Sequence, residues 1–219
     1  MMFRKLLMMK LRLTAMIVMT LTVLQIQAQD KKAEEVLKSV VDNIGAYKNF
    51  KTELSYTMVN TEMNINEKKT GLLYVEGDKY RIEMEGQIII SDGKTIWTIV
   101  KDSEEVMISS AEDNDESISP TKILTTYTDY KAKFDKSHTF NNSALKTIEL
   151  KPKQGEKFEK LTMVVNTQKK SLESFSVFDK NGNIFTYHII NLRPNLELPP
   201  NTFHFDAKDF PGYEIVDMR

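Results

Sequence analysis

The sequence has 219 residues, of which 41% are hydrophobic, 30 are basic, 31 are acidic and none is cysteine. A chain of this length and composition can bury one good-sized core, so disorder is not favoured, and it has no disulfide framework. The net charge of −1, with no cluster of lysines along the sequence, argues against a nucleic-acid-binding protein.

Residues 1–28 have the layout of a secretory signal peptide. Four basic residues without a single acid precede an apolar run that ends at the small residue Ala28. We predict cleavage near Ala28; the alternative is an uncleaved N-terminal anchor. Removal of this segment leaves 26 basic against 31 acidic residues, a net charge of −5. No lipidation cysteine follows it, so residues 29–219 are predicted to be one soluble domain.

One amphipathic helix is predicted next, followed by strands. In DKKAEEVLKSVVDNIGAYKNF, Gly45 is placed to end the helix. The apolar residues at helical spacing are Val36, Leu37, Val40, Val41 and Ile44. The period then changes from 3.6 to 2 in FKTELSYTMVNTEM, which predicts a strand with Phe50, Leu54, Tyr56 and Met58 on one face.

An antiparallel sheet is predicted for the rest of the chain. The runs TGLLYVEG, DKYRIEMEG, QIIIS, KTIWTIV and EEVMIS follow at short intervals between Gly, Asp or Asn turn signals. After the loop SSAEDNDESISP, Pro120 with Ile123, Leu124 and Tyr127 predicts a short helix. Strands resume in YKAKFDKSHTF, LKTIELKP, EKLTMVVNT, LESFSVFD, NIFTYHIIN and TFHFD, with a hairpin turn at residues 179–183. A sheet of so many strands must curl or close.

Catalytic and metal-binding patterns are weak in this sequence. His138, His188 and His204 lie in alternating, strand-like patterns without metal-ligand spacing, and there is no cysteine nucleophile. The acids at residues 112–116 lack the glycine and closing glutamate of a calcium loop, and the Asp-Gly pair at residues 92–93 is explained by a hairpin turn. We therefore predict no enzyme activity, no metal site and no cofactor.

Large apolar residues are unusually frequent on the predicted strands, Met107, Met163, Phe178 and Phe185 among them. Two interpretations are open: an ordinary core between sheet and helix, or a curled sheet that encloses an apolar cavity, with the helix after Pro120 as a plug or lid. Under the second interpretation, the predicted lining residues are Leu54, Tyr56, Met58, Tyr74, Tyr80, Ile82, Met84, Ile88, Ile90, Trp97, Ile99 and Phe175.

The order of motifs resembles that of the LolA family of periplasmic lipoprotein carriers. GLLYVEGDKYRIEM is similar to the family's glycine, aromatic strand and arginine-bearing aromatic strand, and ISDGKTIW to its Asp-Gly hairpin that ends in tryptophan. SISPTKIL resembles its Ser/Thr-Pro lid helix, IELKP its leucine–x–proline strand, DKNGN its Asp-x-x-Gly turn, and TFHFDAKDFPGYEIV its C-terminal Phe-x-Phe strand with Pro-Gly closure. The resemblance covers nearly all of the chain after the signal segment.

The resemblance implies a mostly β fold with helices: an unclosed antiparallel β-barrel covered by an N-terminal helix and a lid helix that carries Pro120, Ile123, Leu124 and Tyr127. Its apolar concave face would bind acyl chains of lipoproteins. A monomer in the periplasm would take them from an inner-membrane lipoprotein-releasing transporter to an outer-membrane acceptor, with only transient membrane contact. The alternative is a lipid-sensing or protein-interaction half-barrel without a shuttle role.

One position departs from the family pattern. The family commonly has an Arg-Pro pair before the second of these strands, where the arginine latches the lid, and here that place reads Glu76–Gly77–Asp78. Arg81 is the nearest arginine and is the candidate latch.

Overall fold

The computed structural model describes residues 30–112, 130–152 and 158–219. Within them, helix α1 spans residues 30–45 and twelve strands form a single sheet. The strands are β1 (Phe50–Asn60), β2 (Ile65–Glu76), β3 (Lys79–Met84), β4 (Gln87–Ser91), β5 (Thr95–Val100), β6 (Glu105–Ser110), β7 (Tyr130–Asp135), β8 (Leu145–Pro152), β9 (Phe158–Asn166), β10 (Ser171–Asp179), β11 (Ile184–Pro194) and β12 (Glu214–Asp217).

The sheet is unclosed. Its strand order is β12-β6-β5-β4-β3-β2-β1-β11-β10-β9-β8-β7, so β12 and β7 are the two edges. All neighbouring strands are antiparallel except β12, which runs parallel to β6. The predicted fold class, mostly β with a helix and an unclosed sheet, is confirmed.

Helix α1 packs on one face of this sheet, which we call the helix face. Its buried side chains, Ala33, Leu37, Val40 and Ile44, recur at the three- and four-residue spacing that the sequence predicted. The helix ends at Gly45, as expected. The partners of α1 in the core come from both halves of the sheet, and include Leu73 on β2, Ile148 on β8 and Met163 on β9.

Strand register assigns the remaining side chains to the helix face or to the opposite face, because directly paired residues of neighbouring strands share a face. Leu73 on β2 pairs with Ile82 on β3, and Ile82 pairs with Ile89 on β4. All three belong to the core that includes α1. The side chains between them point the other way.

The opposite face has a smaller apolar core of its own at β4, β5 and β6. Ile90, Ile99, Val106 and Ile108 are buried there. Half-buried Ile88 and Trp97 pack against them, together with Phe205, Phe210 and Tyr213 of the C-terminal segment. Phe205 stacks on Trp97 at 6.0 Å between ring centroids and on Phe210 at 5.7 Å. The C-terminal segment therefore covers this part of the opposite face.

The C-terminal strand is not where the sequence predicted it. TFHFD, residues 202–206, forms turns and irregular structure, and the last strand is β12. Phe203 and Phe205 alternate with polar residues as in a strand, but neither lies in one, and Phe205 packs on the opposite face of the sheet instead. The Pro-Gly pair at residues 211–212 then leads into β12, which pairs with β6.

Both predicted Asp-Gly-type turns are confirmed. Asp92 Oδ1 accepts hydrogen bonds from the backbone N–H groups of Lys94 and Thr95, each at 2.8 Å, and Gly93 has φ +93°. Asp179 Oδ1 accepts from the backbone of Asn181 and Asn183 in the same way. These side-chain acceptors fix the turns and therefore the registers of β4–β5 and β10–β11.

We expect Gly71→Ala to lower the free energy of unfolding by about 2 kcal/mol. Gly71 lies on β2 between Leu54 and Met84 on the helix face, and a Cβ there would overlap the Glu83 carbonyl oxygen and lie 2.7 Å from Met84 Cγ. The matched control is Gly45→Ala, where a Cβ meets nothing within 4 Å and helix propensity favours alanine. Urea unfolding should separate the two variants; equal stabilities would contradict the close approach of β2 and β3.

Candidate functional site

A row of apolar side chains crosses the helix face on five strands. Tyr56 on β1 pairs with Tyr187 on β11, which pairs with Phe175 on β10. The row continues through Met163 and Ile148. At the β8 end Met163 and Ile148 are completely buried, whereas Tyr56 and Tyr187 are only half-buried. The row thus runs from a sealed core into a partly open surface.

The half-exposed part of the helix face is mostly apolar, and the charged residues Lys69 and Glu67 of β2 lie at its border beside Tyr56 and Met58. We define the inner apolar surface as the half-buried residues of this face on β1, β3, β4 and β11: Tyr56, Met58, Ile82, Met84, Ile89, Phe185, Tyr187 and Ile189. Contiguous apolar surface of this kind marks a binding site more often than an ordinary solvent-facing sheet. At Gly71, β2 has no side chain, and the side chain of the paired residue Met84 occupies the space above this glycine.

Aromatic rings organise the β1–β11 part of this surface. The Tyr187 ring stacks on Phe175 at 4.6 Å and meets Tyr56 at 5.1 Å. Burial raises the pKa of Tyr187 to about 12, with the nearby Tyr56 hydroxyl adding to the effect, and burial also raises the pKa of Tyr56. Both phenols are therefore neutral at physiological pH and present an uncharged wall.

A cleft of about 210 Å³ adjoins the C-terminal end of α1. Its apolar walls come from the helix, β1 and β2, with Lys48 and Asp78 among its lining residues. The apolar lining residues are Val41, Ile44, Phe50 and Val75. The β2–β3 turn that closes one side, Gly77–Asp78, is the place where the family resemblance has an Arg-Pro pair.

Seven of the twelve predicted lining residues do lie on the helix face. Leu54, Tyr80 and Phe175 are buried in the core there. Tyr56, Met58, Ile82 and Met84 are half-buried members of the inner apolar surface. The sequence reasoning missed Tyr187 and Ile189 as lining residues, although NIFTYHIIN alternates in the right phase over Phe185, Tyr187 and Ile189.

The other five predicted lining residues lie on the opposite face, so the twelve do not share one surface as predicted. Tyr74, Ile88, Ile90, Trp97 and Ile99 all lie on the opposite face. The reason is the register of β3 with β4, which places Ile89 opposite Ile82 and so turns Ile88 and Ile90 away. Three consecutive isoleucines show no alternation of polar and apolar residues, so the sequence could not predict which of them points to the helix face.

The predicted latch also lies on the opposite face. Arg81 pairs with Tyr74 and Ile90 in the neighbouring strands, and its Nε lies 2.6 Å from Glu83 Oε1. The predicted lid residues Pro120, Ile123, Leu124 and Tyr127 lie outside the described residues.

The histidine positions differ from the prediction. Only His188 is in a strand, exposed on β11, whereas His138 and His204 lie in irregular segments. Among residues 30–112, 130–152 and 158–219, no group of histidines and carboxylates is arranged to hold a metal ion. The helix that this part of the chain contains is too short and too polar to cross a membrane.

Comparison with known proteins points to one family. The profile of the family described as outer membrane lipoprotein carrier protein LolA matches residues 46–206. No curated protein matches the sequence. Among solved structures, an uncharacterized conserved protein from Thermus thermophilus is similar with a TM-score of 0.55 and 11% identity, over 85% of this chain and 99% of that one.

Two further structures are similar at lower scores. A LolA superfamily protein from Nitrosomonas europaea has a TM-score of 0.45 and 11% identity, over 80% of this chain and 98% of that one. MucB of Pseudomonas aeruginosa, in its complex with MucA, has a TM-score of 0.39 and 10% identity, over 81% of this chain and 62% of that one.

Proposed function

Because this chain belongs to the LolA family, we propose that it is a periplasmic carrier that binds the acyl chains of lipoproteins on the inner apolar surface. It would receive them from an inner-membrane lipoprotein-releasing transporter and deliver them to an outer-membrane acceptor. Residues 1–28 would direct export and be removed. The carrier would perform no chemistry on its cargo and would need no cofactor.

The observation that carries this proposal is the half-buried state of the inner apolar surface. A protein that needed the helix face only for its core would bury Ile82, Met84 and Ile89 as fully as it buries Ile148 on the same face. Each methylene of cargo placed there would contribute about 0.8 kcal/mol. Binding of only four methylenes would therefore favour an acylated over a non-acylated cargo roughly two-hundredfold.

The direct test compares one peptide in two forms. The protein without residues 1–28 is titrated with a diacylated lipopeptide and with the same peptide without its acyl chains, below the lipopeptide's aggregation threshold, and binding is measured by native mass spectrometry and fluorescence anisotropy. The proposal predicts binding of the acylated form only. Equal binding of both forms would instead support a protein-interaction half-barrel, and no binding of the acylated form would refute the carrier function.

A further inference from the structure

Three lysine ammonium groups converge on one carboxylate on the opposite face of β7, β8 and β9. Glu149 Oε1 lies 3.1 Å from Lys133 Nζ and 3.9 Å from Lys151 Nζ, and Glu149 Oε2 lies 3.3 Å from Lys160 Nζ. The Glu149 side chain is only 10% exposed, while the side chains of Lys133 and Lys151 are 53% and 60% exposed. The carboxylate is thus covered by the lysines, of which Lys133 and Lys151 are mostly exposed and Lys160 is 29% exposed.

Strand register brings these residues together from distant parts of the chain. Lys133 on β7 is directly opposite Glu149 on β8, and Lys131 is directly opposite Lys151. Lys160 joins from β9 and lies over the Phe178 ring at 4.6 Å. We call Lys131, Lys133, Lys151 and Lys160 the lysine patch.

The lysine patch carries a net positive charge. Asp135 on β7 shares this face and lies near Lys160 and His138. The four lysines against Glu149 and Asp135 give a net charge of +2. Residues 29–219 as a whole carry −5, so the patch differs in sign from the rest of the chain.

Glu149 stays ionised within this cluster. Burial by itself would raise its pKa, but the ammonium groups of Lys133 and Lys160 outweigh burial and hold the pKa below its ordinary value. The negative carboxylate therefore holds the three ammonium groups around it at neutral pH.

We propose that the lysine patch docks the protein onto the anionic phosphate headgroups of a phospholipid bilayer. Lysines near a bilayer surface are attracted to anionic lipid with about a fivefold gain in affinity for each residue. A bilayer fits the patch better than an acidic protein does, because protein interfaces are depleted of lysine and need buried aromatic or arginine anchors. Phe178, the aromatic residue in contact with the patch, is half-buried beneath Lys160.

This docking is independent of acyl-chain binding, since the patch and the inner apolar surface lie on opposite faces of the sheet. It would place the carrier against a membrane with its helix face still open to cargo. Failure of either proposal therefore leaves the other intact.

Vesicle co-sedimentation tests the docking proposal. The protein without residues 1–28 is mixed with vesicles of phosphatidylcholine and phosphatidylglycerol, or of phosphatidylcholine alone, at low and high ionic strength. We expect binding to the anionic vesicles only, weakened by salt. The triple variant Lys133→Gln, Lys151→Gln, Lys160→Gln should bind at least about tenfold more weakly. The matched triple variant Lys68→Gln, Lys94→Gln, Lys208→Gln removes the same charge from exposed positions elsewhere and should bind as the wild type does.

Three results would overturn the proposal: equal binding to neutral vesicles, equal loss in the two triple variants, or no binding to anionic vesicles. An acidic peptide is also added to the protein. If the peptide binds the lysine patch and anionic vesicles do not displace it, the patch is assigned to a protein partner, and membrane docking is refuted. Far-ultraviolet circular dichroism of both triple variants verifies that each is folded before its binding is compared.

Discussion

Trp97→Ala is expected to lower the free energy of unfolding by about 3 kcal/mol while leaving acyl-chain affinity unchanged. Trp97 packs on the opposite face, where it pairs with Ile90 and Ile108 and stacks on Phe205. Its removal leaves a cavity under the C-terminal segment and breaks the ring stack that joins Phe205 to the sheet. None of these contacts belongs to the inner apolar surface.

Trp97 is the only tryptophan, so unfolding of this variant is followed by circular dichroism rather than by tryptophan fluorescence. Tyr74→Ala is the matched control, since Tyr74 is a half-buried aromatic residue of the same face whose ring lies 4.9 Å from the Lys51 ammonium group. We expect it to cost less than about 1.5 kcal/mol. If the Trp97→Ala protein has normal stability but no longer binds acyl chains, then Trp97 contacts cargo. That result would contradict the assignment of cargo binding to the helix face, since the register of β4, β5 and β6 places Trp97 on the opposite face.

Ile189→Lys is expected to weaken binding of a diacylated lipopeptide at least about tenfold, because an ammonium group must then be desolvated beside the acyl chains. Ile189 is a half-buried member of the inner apolar surface and pairs with Leu54. The adjacent residue in β11, Ile190, is 40% exposed on the opposite face. Ile190→Lys therefore makes the same chemical change one position away and should leave binding unaltered.

Melting temperatures of the two β11 variants separate a binding effect from unfolding. If Ile189→Lys proves too unstable to assay, Ile189→Ala serves instead, with a smaller expected loss of affinity. Equal losses in the Ile189 and Ile190 variants would indicate that the two faces of the sheet do not differ in function.

The sequence was most informative where its periodicity was strict. Val36 to Ile44 follow helical spacing, and α1 buries that stripe. Leu54, Tyr56 and Met58 alternate with polar residues, and all three lie on the helix face as predicted. In such segments the pattern itself specifies the buried side, so register can be predicted without the structure.

Periodicity failed where a strand is apolar on both faces. Because Ile88, Ile89 and Ile90 are all apolar, their sequence does not show which of them points to the helix face. Trp97 is paired with Ile90 and therefore lies on the same face as Ile90. The C-terminal segment covers the opposite face here, so large apolar residues are required on both sides of β4 and β5. That cover could not be predicted, because the sequence of residues 202–206 alternates as a strand does.

The lysine patch shows a different limit of sequence reasoning. Its four lysines are spread over residues 131–160 and form no cluster along the chain. Only the pairing of β7 with β8, and of β8 with β9, places them around Glu149. Surface charge that arises from strand order cannot be read from local composition.

The proposed function requires that cargo binds the helix face of the sheet and not the opposite face. Tyr56 and Tyr74 lie on neighbouring strands, are both half-buried, and point to different faces. Each can be replaced in turn by the photoreactive residue p-benzoylphenylalanine, and the protein irradiated with a radiolabelled diacylated lipopeptide. We expect a crosslinked product from position 56 and none from position 74. A product from position 74 alone would contradict the proposed function.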